Sequence, residues 1–201
     1  MWDGHRLYVG RPRAGKTYLA LSHLAKKGGP RIFVDLAADA ATQGIAITGA
    51  DDLGPCRRAL KAAQCLHYRS AGVAYAKREV AALMSLAEEV ARAEGLPDRG
   101  EAVTILVDEA HHVSGSGVFE PRVLDAAAQG RHLGIELWQA TPLPQAVEYT
   151  IRQPAEHKFC GALDWSPWMA TQWGLSKEEL ESLAEFEFWH VHDGKKERVR
   201  A

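Results

Sequence analysis

Cysteine is scarce in this sequence, and its placement gives no sign of disulfides or of a zinc site. The three cysteines, Cys56, Cys65 and Cys160, are odd in number, widely spaced and without a C-x-x-C pair. This pattern is typical of free thiols in a reducing compartment. It excludes the class of small secreted proteins that are held together by disulfides.

Long apolar runs are also missing. No stretch approaches the roughly 18–20 apolar residues of a membrane-spanning helix, and the best candidates, such as Val103 to Val107, have the length of a strand. The first residues lack the charged flank, apolar run and small-residue cleavage site of a signal peptide. The sequence therefore predicts an intracellular protein without a membrane span.

An excess of either charge is absent as well. Lys and Arg number 24 against 26 Asp and Glu, which gives a net charge of −2. With 46% hydrophobic and 25% charged residues, the composition is that of a soluble globular protein, not of a disordered or collagen-like chain. Bulk positive charge cannot attract nucleic acid here, so such contact would need local basic clusters or several copies around one channel.

The length and the alternation of short apolar runs with amphipathic stretches predict one α/β domain over 1–201, with a mostly parallel central sheet flanked by helices. Strands are predicted at 7–9, 31–36, 65–68, 103–107, 135–141, 157–163 and 186–192, and helices at 16–27, 74–93 and from 121 to about 130 or 132. Segment 37–55 is interpreted as a loop. We expect a core at about 5–163, then C-terminal helices, a closing strand and a basic tail at 164–201.

A phosphate-binding motif follows the first predicted strand. Residues Gly10 to Thr17 read G-x-x-x-x-G-K-T, in which two glycines let consecutive backbone N–H groups surround phosphate oxygens. Lys16 is expected to reach the β- and γ-phosphates, and the Thr17 hydroxyl to hold Mg²⁺. The predicted nucleotide-binding residues are Gly10, Arg11, Pro12, Arg13, Ala14, Gly15, Lys16, Thr17 and Tyr18.

An acidic pair follows the strongest buried-strand signal in the chain. The apolar run Val103 to Val107 leads directly into Asp108 and Glu109, which is the pattern of a Walker B element. Asp108 at the strand's end is expected to hold Mg²⁺, and Glu109 to polarise the attacking water. Together with the phosphate-binding motif, this pair predicts ATP hydrolysis with ATP and Mg²⁺ bound.

Four further polar residues have two interpretations each. Gln139, near the end of a strand expected beside the Walker B strand, could contact the γ-phosphate or satisfy backbone groups at the sheet edge. Arg131 could be a solvated cation at a helix end or an arginine finger that crosses a subunit interface. His111 and His112 are interpreted as capping or supporting residues, because no cysteine pair or further histidine lies at metal-ligand spacing.

Taken together, these segments resemble the FtsK–HerA superfamily of P-loop ATPases, and within it the genome-packaging ATPases of tailless icosahedral double-stranded DNA viruses. The matching segments are 10–17, 105–111, 130–135 and 138–141. The segment most specific to this superfamily is the Gly-Arg-His-Leu-Gly turn at 130–134, which precedes a strand with a glutamine near its end. The resemblance extends from residue 7 to about residue 145 of the chain.

The resemblance implies a RecA-like (ASCE) P-loop NTPase fold in a ring, expected to be a hexamer, that moves double-stranded DNA through a central pore. The implied task is packaging of a viral genome into a preformed capsid in the host cytoplasm, with a capsid or vertex protein as a further partner and a place in the virion left open. The resemblance also implies that Gln139 is a γ-phosphate sensor and that Arg131 is an arginine finger that acts on the neighbouring subunit. The implied catalytic residues are Glu109, Lys16, Gln139 and Arg131, and the implied metal ligands are Thr17 and Asp108.

Three other functions stay open. The zonula-occludens-toxin-like phage assembly and export ATPases share the superfamily but normally carry a membrane-spanning segment. The string Asp108 to His111 matches the DEAH box of RNA helicases, which need a second RecA domain that 201 residues leave no room for. The third alternative is a nucleotide-dependent assembly switch, which would bind its partner protein through exposed tryptophans. In a motor the same tryptophans would lie in the core or in contacts between subunits. The residues concerned are Trp165, Trp168, Trp173 and Trp189.

Overall fold

The structure is a computed structural model that describes residues 3–37, 45–48, 53–62, 64–115, 120–164 and 166–201. Within these residues, one sheet contains β1 (Arg6–Val9), β2 (Arg31–Asp35), β3 (Ile45–Thr48), β4 (Cys65–Arg69), β5 (Val103–Val107), β6 (Ile135–Thr141), β7 (His157–Cys160), β8 (Glu187–His192) and β9 (Lys195–Arg200). The strand order is β3-β4-β2-β5-β6-β1-β7-β8-β9. Pairing is parallel from β3 to β7 and antiparallel at β8 and β9, which confirms the predicted α/β fold with a mostly parallel sheet.

Helices cover both faces of this sheet. They are α1 (Lys16–Lys26), α2 (Gly54–Lys61), α3 (Ala76–Ala93), α4 (His111–Ser114), α5 (Pro121–Leu133), α6 (Tyr149–Arg152), α7 (Pro167–Trp173) and α8 (Lys177–Glu181), with short 3₁₀ turns at Pro97–Arg99 and Pro144–Ala146. In α3, the buried residues Val80, Leu83, Ala87 and Val90 recur at helical spacing and pack on one sheet face. Helix α1 packs on the opposite face, so α1 and α3 lie on different sides of the sheet.

The segment 37–55, predicted as a loop, contains regular structure. Ile45–Thr48 is β3, which pairs in parallel with β4 at one end of the sheet, and α2 begins at Gly54. Residues 38–44 and 49–52 lie outside the described residues. Strand β3 has four residues and, among the described strands, pairs with β4 alone, so it needs no long apolar run. The hydrophobic pattern of the sequence therefore did not indicate this strand.

The residues predicted as a basic tail form the last strand of the sheet. Asp193 and Gly194 both have positive φ, 47° and 72°, which is the backbone of a tight two-residue hairpin turn. From this turn β9 returns along the whole length of β8. Its hydrogen bonds come from the backbone, so its charged side chains can stay at the surface, and the Arg198 guanidinium lies 5.0 Å from the Trp189 ring. The expected core at 5–163 with its C-terminal appendage stays a prediction.

The order of the central strands decides which side chains meet at one edge. Strand β6 lies between β1 and β5, so it neighbours the Walker B strand as predicted. Thr141 pairs with Val9 of β1, and Gln139 pairs with Val107 of β5. Because β1, β5 and β6 run parallel, the phosphate-binding motif, Asp108 and the end of β6 lie at the same carboxyl edge of the sheet.

A buried ion pair fixes α1 on the sheet. Glu136 of β6 is fully buried, and its carboxylate accepts hydrogen bonds from Lys27 Nζ and Trp138 Nε1, each at 2.9 Å. Burial raises the pKa of Glu136, and the Lys27 ammonium acts against that rise. Because Lys27 directly follows α1, the pair holds the far end of the helix whose first turn carries the phosphate-binding motif.

The described tryptophans pack against residues of the same chain. Trp138 is fully buried, and Trp173 is nearly so, with its ring edge-on to Trp168 at 4.8 Å. Trp189 Nε1 donates to the Glu179 carbonyl at 2.9 Å. Trp165 lies outside the described residues. In the part of the chain that the structure describes, no helix is long and apolar enough to cross a membrane.

Candidate nucleotide-binding site

The loop between β1 and α1, residues 10–15 and hereafter the P-loop, has the backbone that phosphate binding requires. Gly15 caps α1 with φ 89°, and Arg13 has φ 66°. The Arg11 amide donates to the Ala162 carbonyl at 2.8 Å, which ties the loop to the end of β7. The N-terminus of α1, with its free N–H groups and positive dipole end, therefore opens onto the carboxyl edge of the sheet.

A hydroxyl and a carboxylate meet at this edge. Thr17 Oγ1 donates to Asp108 Oδ2 at 2.9 Å, and Asp108 Oδ1 accepts from the Glu109 amide at 3.0 Å. Burial raises the pKa of Asp108, whereas the Thr17 hydrogen bond and the Lys16 charge lower it. Hydroxyl and carboxylate oxygens are the ligands Mg²⁺ prefers, and a Mg²⁺ bound with a nucleotide takes one or two carboxylates plus phosphates. Thr17 and Asp108 fit such an ion.

Glu109 lies next to Lys16 in a strained backbone conformation. Its φ is 52°, a left-handed value that non-glycine residues adopt infrequently and that is often found at functional sites. Glu109 Oε1 is 3.3 Å from Lys16 Nζ. The backbone after it is fixed, because the Ala110 amide donates to the Ala140 carbonyl of β6 at 2.9 Å. The turn thus aims the Glu109 carboxylate at the P-loop.

A histidine and a threonine extend this cluster. His111 Nδ1 lies 3.4 Å from Glu109 Oε2 and 3.4 Å from Thr141 Oγ1. Burial, with a smaller effect of the adjacent His112, lowers the pKa of His111. Lys16, Glu109, His111 and Thr141 therefore form one continuous chain of polar contacts. Among the described residues, no cluster of three or more His, Cys, Asp or Glu side chains could hold a metal ion.

Gln139 lies on a different face of the sheet from α1. Its neighbours along the strand, Trp138 and Ala140, pack with α1, and alternation puts Gln139 on the side of α5 and α6. There it lines a small cavity with His5 and Arg152. It is 3% exposed, and its amide has no hydrogen-bond partner in the described part of the chain. The sensor role of Gln139 stays a prediction, while Thr141, two residues later, is the β6 residue in contact with the cluster.

Arg131 lies far from the P-loop of its own chain. It is exposed in the last turn of α5, just before β6 begins at the amino edge of the sheet. The seven residues of β6 separate it from Thr141 by about 20 Å. This distance excludes a contact between Arg131 and the phosphates of a nucleotide bound at the P-loop of the same chain. The predicted action on a neighbouring subunit stays a prediction.

Comparisons with known proteins found one partial sequence match and several solved structures of similar fold. No family model matches the sequence. Protein P9 of Pseudoalteromonas phage PM2 is 34% identical over 87 residues, 42% of this chain and 40% of that protein, so the match spans less than half of either. The genome packaging NTPase B204 of Sulfolobus turreted icosahedral virus 2, in complex with ATP-gammaS, superimposes with a TM-score of 0.74 at 16% identity over 98% of this chain and 97% of B204.

A second solved structure is similar outside the viral proteins. VirB4 of Thermoanaerobacter pseudethanolicus gives a TM-score of 0.67 at 12% identity over 98% of this chain and 88% of VirB4. The similarity to B204 and to VirB4 covers 98% of this chain in each case. The chain thus shares its fold with the viral genome packaging NTPase B204, which confirms the P-loop NTPase fold that the motifs predicted.

Proposed function

We propose that this chain is an ATP-hydrolysing motor that moves double-stranded DNA and packages a viral genome into a preformed capsid. The observation that carries the proposal is the cluster of Lys16, Thr17, Asp108 and Glu109 at one sheet edge, on a fold shared with a genome packaging NTPase. A host cytoplasmic location, a capsid or vertex partner and a place in the virion belong to the same proposal.

The chemistry assigned to the cluster is hydrolysis of the bond between the β- and γ-phosphates. Lys16 and the loop amides bind the phosphate oxygens, and Thr17 and Asp108 hold Mg²⁺, which when bound neutralises charge on the phosphates. Glu109 accepts a proton from a water molecule while the oxygen of that water attacks the γ-phosphorus, and ADP leaves. Because Lys16 now pairs with Glu109, phosphate competes for the same ammonium, and binding frees the Glu109 carboxylate to orient water.

His111 and Thr141 would act as positioning residues for Glu109. Both lie within 3.4 Å of one another, and His111 reaches the carboxylate oxygen that does not face Lys16. Thr141 is fixed in turn, because its hydroxyl accepts from the Leu143 amide at 3.1 Å. A shift at the end of β6 would therefore move Glu109 through His111. In the same way, a change in the position of Glu109 during hydrolysis would be transmitted to β6.

The motor is proposed to work as a ring, expected to be a hexamer, in which Arg131 completes the neighbour's site. Its exposure and its distance from the P-loop of its own chain support an action in trans. An arginine finger would stabilise the charge that develops on the phosphates in the transition state. A near-neutral chain can still bind DNA in such a ring, because each copy repeats the same few cations around the pore.

Basic residues are available for that contact on three described elements. Arg57 on α2 is engaged by Glu89 at 2.8 Å, which leaves its neighbours on the helix as the better candidates. The candidates for DNA contact are Arg58 and Lys61 on α2, Lys77 and Arg78 on α3, and Lys195 and Arg200 on β9.

Steady-state ATP hydrolysis, measured against protein concentration with and without linear double-stranded DNA, tests this function. A ring motor gives a rate per chain that rises with concentration, and DNA stimulates it. In the same assay, chains with Arg131→Ala and chains with Lys16→Ala are each inactive, and mixing them restores part of the turnover. Arg122→Ala, on the same helix, is the matched control and should retain activity.

A rate strictly proportional to protein and indifferent to DNA would contradict the motor and favour a nucleotide-dependent assembly switch. No recovery on mixing, with a ring still formed, would contradict the action of Arg131 in trans while leaving hydrolysis at Glu109 in place.

A further inference from the structure

A cavity adjoins the P-loop on the side away from Asp108 and Glu109. It measures about 350 Å³ and lies between loop residues 11–14 and the turn at 183–187 that leads into β8, with Ala162 at the end of β7 as a further wall. This volume falls within the range of cavities that take small molecules, about 300–1,000 Å³. The mechanism described above uses none of its lining outside the P-loop.

The order of the strands determines which part of a nucleotide would reach this cavity. Asp108 and Glu109 follow β5, which lies on one side of β1, so the γ-phosphate must face that side. The nucleoside is attached at the other end of the triphosphate and must leave toward the other side of β1. On that side lie the end of β7 and the start of β8, where the cavity is found.

The geometry points to a nucleoside-binding site in this cavity, with the Phe186 ring stacked on the base. The inference rests on the proposed binding of ATP at the P-loop, and it adds the residue that recognises the base.

Phe186 is held against the P-loop in a conformation that costs energy. Its φ is 63°, which a bulky side chain rarely adopts. A Cβ on Gly15 would lie only 2.8 Å from Phe186 Cδ1, so the ring packs directly on the loop backbone. Its carbonyl accepts from the Ala201 amide at 2.9 Å, yet 40% of the residue remains exposed. Backbone strain of this kind is often kept at ligand sites, and an exposed, fixed ring is suited to stacking.

The charges around the ring suit the other parts of a nucleoside. Arg11 and Arg13 line the loop side of the cavity, where guanidinium groups can contact phosphate or lie over a base. Glu185 lines the opposite side, and a carboxylate there can accept hydrogen bonds from ribose hydroxyls. The Glu187 carboxylate is already engaged by the Ala184 amide at 3.0 Å, which stabilises the turn that presents Phe186.

Binding of ADP and of inorganic pyrophosphate to the full chain, measured by calorimetry in the presence of Mg²⁺, tests the inference. The two ligands share two phosphates and differ in the nucleoside, and neither requires turnover. The unchanged protein should bind ADP more tightly than pyrophosphate. Phe186→Ala should weaken ADP binding about tenfold and leave pyrophosphate binding unchanged, because only the stacking is lost. Phe186→Trp should retain ADP binding.

Tyr75→Ala is the matched control, since Tyr75 is also an exposed aromatic residue but adjoins β4, four strands from β1. Equal affinity of the unchanged protein for ADP and pyrophosphate would overturn the inference without any variant. An equal loss of both ligands in a folded Phe186→Ala protein would also overturn it. Lys16→Ala distinguishes the two proposals, because retention of both ligands there would contradict phosphate binding at the P-loop itself.

Discussion

Glu109→Gln is expected to lower ATP turnover by about 10²–10⁴-fold while ATP still binds. The amide keeps the size and position of the side chain at the end of β5 but cannot accept a proton from the attacking water. Lys16, Thr17 and Asp108, which we propose hold the phosphates and Mg²⁺, are unchanged. Single-turnover hydrolysis and equilibrium binding of ATP, measured on the same preparation, separate the two effects.

The control for this variant is Glu94→Gln, an exposed carboxylate just after α3. It removes the same charge at a distance from the site and should leave turnover unchanged. Turnover near normal in Glu109→Gln would show that another group activates water and would contradict the role given to the strained turn at 108–110.

Lys16→Ala is expected to abolish tight ATP binding and to lower turnover by about 10²–10³-fold, the loss typical when one charge-stabilising donor is removed. Lys16 is buried beside Glu109, with 6% of the residue exposed, and its ammonium lies 3.3 Å from Glu109 Oε1. The loss should appear in binding as well as in the chemical step, because the proposed contact of the ammonium with the phosphates exists before and during the reaction. Calorimetric titration with ATP measures the first and steady-state hydrolysis the second.

Lys26→Ala offers a matched comparison, since Lys26 lies exposed in the last turn of the same helix. It should bind and hydrolyse ATP like the unchanged protein. If Lys16→Ala bound ATP with unaltered affinity, the P-loop would not be the phosphate site, and every role assigned at this edge would be in doubt.

Much of the central sheet could be predicted because its strands carry their own signal. Val103–Val107 and Ile135–Thr141 are buried on both faces, so their apolar character appears directly in the sequence. The motif at 10–17 and the acidic pair after β5 are local patterns as well. Parallel pairing then brings their ends to one edge, which is why local motifs were enough to predict the cluster.

The two ends of the sheet could not be predicted in the same way. Strand β9 has five charged residues among six and only a half-buried Val199, so its sequence has no apolar face to indicate a strand. The hairpin turn at Asp193 and Gly194 and the backbone pairing with β8 form it instead.

The parts of the site that the sequence did not reveal depend on tertiary contact. Phe186 reaches Gly15 across 171 positions of the chain, and no local pattern connects them. The polar residues of β6 posed a different problem, because Gln139 and Thr141 both lie near the strand's end. Only the fold shows that Gln139 lines a cavity under α5, whereas Thr141 contacts His111.

Displacement of a third DNA strand is the most direct test of the claim that hydrolysis at Glu109 drives movement along double-stranded DNA. The substrate is a linear duplex with a triplex-forming oligonucleotide bound at one end, incubated with the full chain, ATP and Mg²⁺. The account predicts that the oligonucleotide is released at a rate that depends on ATP, and that Glu109→Gln releases none. DNA-stimulated hydrolysis without any release of the third strand would contradict it, because the energy of ATP would then be used for something other than translocation.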